Sequence, residues 1–127
     1  MNIQELEIKM WNAAKSRDSK AFLEVVDENA VMVCGGFRCS GAEYAEIIKE
    51  FDVARYKISK YEVIEETESL CQIHYVIDLT VGDRKNAVTT THLHTASPTV
   101  RIHRTTRQSI CETECDWVWS PCLRTSS

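Results

Sequence analysis

The alternation of residues 70–81 constrains the fold more than any other feature of this sequence. The apolar side chains on one face of the segment are Cys71, Ile73, Tyr75, Ile77, Leu79 and Val81. The other face carries Gln72, His74, Val76, Asp78 and Thr80. A period of two is typical of a strand in an antiparallel sheet that covers a core with one face. We therefore predict a strand over 70–81, with Cys71 as a small core hydrophobe, and a neighbouring strand over the looser alternation of 56–65.

Two amphipathic helices are predicted ahead of these strands. Apolar residues from Ile3 to Ala13 recur at helical spacing, which predicts a helix over residues 3–16. Asp18 is a residue type that favours the N-cap position, and it precedes a second apolar stripe. We expect this second helix to end at residues 27–29.

A short hairpin and a third helix are predicted next. Residues 30–34 are apolar and β-prone, and Gly35-Gly36 separates them from a second short run at 37–39. Glycine accepts the positive φ angles of tight hairpin turns, so this pattern predicts a β-hairpin. Ser40 and Glu43 then form a capping-box motif, which predicts the start of a helix.

Length and composition favour a single domain over residues 1–127. The chain is 43% hydrophobic and 27% charged, and no apolar run approaches the roughly 18 residues that span a bilayer. The N-terminal residues lack the pattern of a secretory signal, so we expect a cytoplasmic protein with free thiols. The net charge is −4, and acidic side chains predominate over residues 1–83. Nucleic-acid binding needs clustered basic side chains, so we predict no nucleic-acid partner and no membrane partner.

The order of these elements resembles that of the nuclear transport factor 2-like (SnoaL-like) superfamily, which has a cystatin-like fold. The matching segments are Trp11-Asn-Ala-Ala-Lys-Ser-Arg-Asp18 with Phe22, Val31-Met-Val-Cys-Gly-Gly-Phe-Arg-Cys-Ser-Gly41, and Cys71-Gln-Ile-His-Tyr-Val-Ile77. The resemblance covers residues 1–83 and implies an α+β fold, with N-terminal helices packed on a curved antiparallel sheet that forms a cone. It also implies that intact relatives form homodimers, and it leaves the oligomeric state of this chain open. It says little about activity, because this fold carries isomerases, cyclases, dehydratases, scaffolds and ligand-binding domains.

Residues 84–127 do not continue this pattern. The relatives would add two or three further long strands, whereas this segment is rich in threonine and shows no sustained strand or helix periodicity. We expect an atypical, weakly stable segment that leaves the sheet incomplete. Two explanations stay open: a shifted reading frame near Asp83 to Lys85, which we favour, and genuine divergence.

The resemblance also predicts a pocket between the helices and the sheet. Its candidate lining residues are Trp11, Cys34, Tyr44, Tyr56 and Tyr75. Plain core packing is the alternative interpretation of these aromatic residues. As a pocket, they would enclose a small apolar ligand, with no cofactor.

Neither catalytic residues nor a metal site are predicted. Isomerase-like relatives carry a carboxylate base on the first strand, but Val33-Cys34-Gly35 offers none. His92-x-His94, together with Cys111-x3-Cys115 and Cys122, includes zinc-ligand types, but the His-x-His spacing does not fit a structural zinc site.

Three functions are compatible with these observations. The leading interpretation is a small-molecule-binding domain of the SnoaL-like class with an apolar pocket. The first alternative is a SnoaL-like cyclase or isomerase acting on a small apolar carbonyl compound, and the second is a protein-interaction module that uses the open sheet face. A carboxylate or histidine facing the cavity would favour the enzyme.

Overall fold

The computed structural model describes residues 2–34, 37–96 and 100–109. The helices are α1 (Ile3–Ser16), α2 (Ser19–Val25) and α3 (Gly41–Ile47), the last followed by a 3-10 turn at Ile48–Glu50. The strands are β1 (Val26–Cys34), β2 (Phe37–Ser40), β3 (Val53–Glu66), β4 (Leu70–Val81), β5 (Arg84–Thr95) and β6 (Arg101–Ser109).

The helix starts follow the predicted capping residues. The Asp18 side chain accepts a hydrogen bond from the backbone N–H of Ala21 at 3.1 Å and so caps α2. The capping box of α3 is complete, because Ser40 and Glu43 each accept a hydrogen bond from the other's backbone N–H. Helix α2 ends earlier than the predicted 27–29, because the chain is already extended from Val26 onward.

The six strands form one sheet in the order β2-β1-β6-β5-β4-β3. All neighbours pair antiparallel except β1 and β6, which run parallel. The helices cover one face, and the register predicted for β4 is confirmed: Cys71, Ile73, Tyr75 and Ile77 are all at most 2% exposed. The fold is therefore the predicted α+β arrangement of N-terminal helices on a largely antiparallel sheet.

The expectation that residues 84–127 lack regular strands is wrong for 84–95 and 101–109. β5 pairs with β4 along its whole length, and β6 lies between β5 and β1. The alternation was hidden because the inward-facing positions of β5 are largely polar: Asn86, Val88, Thr90, His92 and His94. The pairing of β5 with β6 shifts between Leu93 and His94. The buried positions of β6 therefore do not follow one continuous alternation. The part of this segment that the structure describes therefore completes the sheet, which removes the main support for a shifted frame there. Residues 110–127 lie outside the described residues.

The core lies between α1–α3 and the inner sheet face. The rings of Phe22 and Tyr44 stack at 5.8 Å between centroids, and Phe51 meets Tyr44 edge-on at 5.7 Å. None of the helices in the described residues has the length and apolar composition that a membrane-spanning segment requires.

Candidate functional site

Glu7 is a charged side chain at the centre of the core. It lies on the sheet-facing side of α1 and is 0% exposed. One carboxylate oxygen, Oε1, accepts hydrogen bonds from the Tyr75 hydroxyl at 2.5 Å and from His92 Nδ1 at 2.6 Å. The other oxygen, Oε2, accepts one from His94 Nε2 at 2.7 Å. Three donors from two strands therefore converge on one helical carboxylate.

The far side of the His92 ring faces Arg107 of β6. The guanidinium Nη2 lies 3.1 Å from His92 Nε2. Because a guanidinium can only donate, Nε2 must be the acceptor and the His92 proton must be on Nδ1, where it is given to Glu7. The polar chain therefore runs from Arg107 through a neutral His92 to Glu7.

Aromatic side chains surround the Arg107 guanidinium. Its carbon lies 4.6 Å from the centroid of the Trp11 ring and 5.7 Å from that of Tyr44. Nη1 donates to the Tyr44 hydroxyl at 3.3 Å, and Trp11 Nε1 donates to the Tyr75 hydroxyl at 2.7 Å. We call Glu7, Trp11, Tyr44, Tyr75, His92, His94 and Arg107 the buried polar cluster.

The titration of the cluster follows from these contacts. Burial alone would raise the pKa of Glu7, but the charge interactions and hydrogen bonds with His92 and His94 outweigh it and hold this pKa well below its usual range. Burial lowers the pKa of His92 to about 4 despite the attraction of Glu7. Burial also raises the pKa values of Tyr44 and Tyr75 well above their usual range. At neutral pH the cluster thus holds an ionised Glu7 and a neutral His92.

Glu7, His92 and His94 have donor types that could hold a metal ion, with ligand atoms within 4.8 Å of one another. The surroundings of His92 oppose this. Binding a metal through Nδ1 would leave the proton on Nε2, directed at the donor group of Arg107 at 3.1 Å. The cluster is better explained as a hydrogen-bond network than as a metal centre. The three cysteines of the zinc hypothesis, Cys111, Cys115 and Cys122, lie outside the described residues.

The structure brings four of the five predicted pocket residues together. Trp11, Tyr44 and Tyr75 belong to the buried polar cluster, and Cys34 is 2% exposed. Burial raises the pKa of the Cys34 thiol, and the charge of Arg107 partly opposes this shift. Tyr56 lies at the rim, where its hydroxyl donates to the Asn12 side chain at 2.7 Å and its ring is 6.0 Å from Trp11. The described cysteines, at positions 34, 39 and 71, are free thiols, as expected.

The surroundings of these residues are more polar than the sequence suggested, because Glu7, His92, His94 and Arg107 are not among the predicted pocket residues. Glu7 could have been found from its position in the α1 stripe between Ile3 and Met10, where an acidic residue must be buried. The His92-x-His94 spacing puts both rings on one face of a strand, but only the burial of that face shows that they point inward. Arg107 carries no comparable sequence pattern, because the phase of β6 depends on its register shift.

Comparison with solved structures identifies the architecture. An NTF2-like protein from Cytophaga hutchinsonii has a TM-score of 0.76 at 11% identity, covering 87% of this chain and 100% of that one. An NTF2-like protein of unknown function in nutrient uptake from Rhodospirillum rubrum has a TM-score of 0.77 at 14% identity, with the same coverage. This chain has the NTF2-like fold. A ketosteroid isomerase-like protein from Erwinia carotovora atroseptica shares that fold at a TM-score of 0.66 and 18% identity, over 87% of this chain and 95% of that one.

Sequence comparison adds nothing finer to the NTF2-like assignment. No protein-family model and no curated protein matches the chain. At these identities the likeness shows the fold alone, and the NTF2-like fold carries many activities.

Among the described residues, a groove and a cleft lie outside the cluster. A groove of about 380 Å³ lies between the start of α1 and strands β3 and β4; it is lined by Asn2, Ile3, Gln4, Tyr61, Val63, Glu66 and Cys71. We call it the α1 groove. A cleft of about 650 Å³ crosses the sheet face turned away from the helices, and Arg55, Lys57, Asp78, Thr80 and Lys85 are among its lining residues. The α1 groove is the nearer to the cluster, since Tyr61 in its wall stacks on Tyr75 at 6.3 Å.

Proposed function

We propose that the chain is a small-molecule-binding domain of the NTF2-like, SnoaL-like class. Its ligand is small and largely apolar, and carries one oxygen function, a carbonyl or a hydroxyl group, that contacts the buried polar cluster. The observation that carries the proposal is the enclosure of Glu7, His92, His94 and Arg107, each at most 2% exposed, between α1 and the sheet.

Stability alone does not explain such a cluster. Removing charged groups from water costs several kcal/mol per ion, and apolar side chains of similar volume often stabilise a core as well or better. Ionisable groups that are both buried and mutually arranged are concentrated at functional sites. Apolar side chains of the same volume would have stabilised the fold equally well. The presence of polar groups at these positions therefore favours a binding role.

The chemistry of the surroundings limits the ligand. The aromatic rings of Trp11 and Tyr44 pack around Arg107, and the Arg107 guanidinium can only donate hydrogen bonds. Small-molecule sites typically combine apolar walls with a few fixed polar groups, which matches an apolar molecule with one acceptor oxygen. The α1 groove is the concave surface nearest to the cluster, and a ligand that enters from it must displace the Tyr61 ring, which stacks on Tyr75.

Ligand-detected NMR with cyclohexanone and cyclohexanol as probes tests this proposal. We expect saturation transfer to both probes, and a loss of affinity of at least tenfold in Arg107→Gln. Arg104→Gln is the matched control, because Arg104 is exposed on the same strand. Binding that is absent in the wild type, or unchanged in a folded Arg107→Gln protein, contradicts the proposal. Should Arg107→Gln unfold, Trp11→Phe provides the second test, since it keeps an aromatic surface but removes the indole N–H.

An acid–base enzyme is the second candidate, favoured by the pairing of Glu7 with His94. A carboxylate that fixes one imidazole nitrogen leaves the other available for proton transfer. Hydrogen–deuterium exchange at the α-carbon of cyclohexanone in D₂O, followed by NMR, measures this activity. We expect enzyme-dependent exchange that His94→Gln abolishes and His74→Gln retains. Exchange no faster than in buffer excludes this candidate for cyclohexanone-like substrates.

Homodimer formation remains a separate proposal. The cleft on the outer sheet face supports it, because exposed Arg55, Lys57 and Lys85 lie beside Asp78 and offer both charge signs to a second copy. Light scattering after size-exclusion chromatography should give twice the monomer mass. Lys85→Glu should shift the protein towards the monomer, and a monomeric wild type would contradict the proposal.

A further inference from the structure

Cys71 and His94 lie directly opposite each other on the central strands β4 and β5. Both side chains face the helices, and they are 2% and 1% exposed. Opposite residues on one sheet face have Cβ atoms about 4.5–5.5 Å apart. The thiol and the imidazole are therefore cross-strand neighbours within the core.

One ring nitrogen of His94 is bonded to Glu7, and the other ring nitrogen has no bonding partner among the described residues. Nε2 is held at 2.7 Å by the Glu7 carboxylate. Across the part of the chain that the structure describes, Nδ1 has no hydrogen-bond partner although it is buried. A buried polar nitrogen without a partner costs free energy, and in this tautomer Nδ1 is a proton acceptor.

Cys71 connects this imidazole to an open surface. The residue lines the α1 groove, which has a volume of about 380 Å³. It also shares with His94 a narrow crevice that leaves no room for a water molecule. A molecule in the groove can thus approach Cys71, and His94 lies beside it on the neighbouring strand. His94 Nδ1 is not hydrogen-bonded to the thiol in the free protein, and catalytic hydrogen bonds often tighten only when the substrate binds.

We propose that Cys71 is a nucleophile for α,β-unsaturated carbonyl compounds that enter the α1 groove, with His94 as its base. His94 Nδ1 takes the thiol proton, and the sulfur electron pair forms a bond to the β-carbon. The π electrons of the C=C bond move onto the carbonyl oxygen as an enolate, and the imidazolium returns the proton to the α-carbon. The net result is addition of S–H across the double bond, with no further reactant.

The electrostatics of the site fit this sequence of steps. Burial, with a contribution from Glu66, raises the pKa of the Cys71 thiol, so the thiol reacts only when a base takes its proton. The imidazolium that forms stays bonded to the Glu7 carboxylate, which stabilises it. This inference shares the Glu7–His94 pair with the proposed function, but it needs no ligand at Arg107 or Trp11, so either can fail without the other.

Time-resolved peptide mapping of the full chain with N-ethylmaleimide, itself an α,β-unsaturated imide, tests the inference. In the wild type we expect Cys71 to be alkylated at least tenfold faster than Cys39, a core thiol that is 7% exposed. His94→Gln should slow alkylation of Cys71 at least tenfold, while His74→Gln, on the opposite sheet face, should leave the rate unchanged.

The internal thiols separate a chemical effect from loosening of the fold. Unchanged alkylation of Cys34 and Cys39 in His94→Gln shows that the core is intact. If those two thiols become reactive, His94→Leu is used instead of His94→Gln. Leucine fills much of the same space with an apolar side chain and has no nitrogen that could act as a base. A wild-type Cys71 no faster than Cys39, or a rate at Cys71 that folded His94 variants leave unchanged, would overturn the inference.

Discussion

Glu7 on the first helix accepts a hydrogen bond at 2.6 Å from His92, a residue 85 positions later in the chain. This contact joins the N-terminal helix to β5, one of the two strands that the sequence pattern did not predict. It places an ionised carboxylate next to a neutral imidazole in a site without solvent exposure. The free energy of unfolding therefore depends on the charge of Glu7 and on the protonation of His92.

Removing the charge of Glu7 should destabilise the protein strongly. In Glu7→Gln the amide has nearly the same shape as the carboxylate. Its NH₂ group, however, would face at least one of the O–H or N–H groups that now donate to Glu7. Breaking a buried charged network by one partner costs about 3–5 kcal/mol. Urea unfolding measures the difference, with exposed Glu5→Gln on the same helix as control, expected within about 0.5 kcal/mol of wild type. A Glu7→Gln protein as stable as that control would show that the network contributes no net stability.

Stability should fall between pH 6.5 and pH 4 because of His92. Its pKa drops from 6.5 to about 4 on folding, since burial disfavours the charged ring. In this window the unfolded chain binds a proton that the folded chain does not, so stability increases with pH and is fully present above 6.5. The loss on acidification is of the order of 3 kcal/mol. Unfolding curves at several pH values should show this dependence weakened in His92→Gln and retained in His74→Gln; identical profiles would contradict it.

Backbone amides of β5 should exchange slowly. The strand is paired on both sides, with β4 and with β6, and its inward side chains are buried. Amides in central strands open only with large-scale unfolding. Hydrogen exchange followed by mass spectrometry should therefore give residues 86–94 protection comparable to that of residues 71–79. Fast exchange confined to β5 and β6 would mean that residues 84–109 do not complete the sheet in solution.

Gly41→Ala should disrupt the junction between β2 and α3. A Cβ at this position would overlap the backbone carbonyl oxygen of Asp27, and backbone atoms cannot move aside as a flexible side chain can. We expect a loss of at least about 2 kcal/mol. Thermal unfolding measures it, with Ala42→Ser at the exposed next position as control. A Gly41→Ala protein with wild-type stability would show that the chain near Asp27 adapts.

Local rules in the sequence determined the helices, the hairpin and the register of β4. Asp18, Ser40 and Glu43 act within a few residues of themselves, so their capping roles can be inferred without knowing the fold. The alternation of residues 70–81 also sufficed, because its inward residues are apolar and its outward residues mostly polar. This alternation placed Tyr75 on the inner side of the fold, whereas Trp11 was assigned to the interior only through the family resemblance.

Only the tertiary structure decided β5, β6 and the buried polar cluster. Hydrophobic patterning identifies a buried face by its apolar residues, and it fails where the buried side chains are histidine, threonine and arginine. His92 and His94 can be buried because Glu7, far away in sequence, satisfies their N–H groups, and that pairing exists only once α1 lies on the sheet. The inward direction of Arg107 depends on a register shift in β6, which cross-strand pairing sets and local sequence does not.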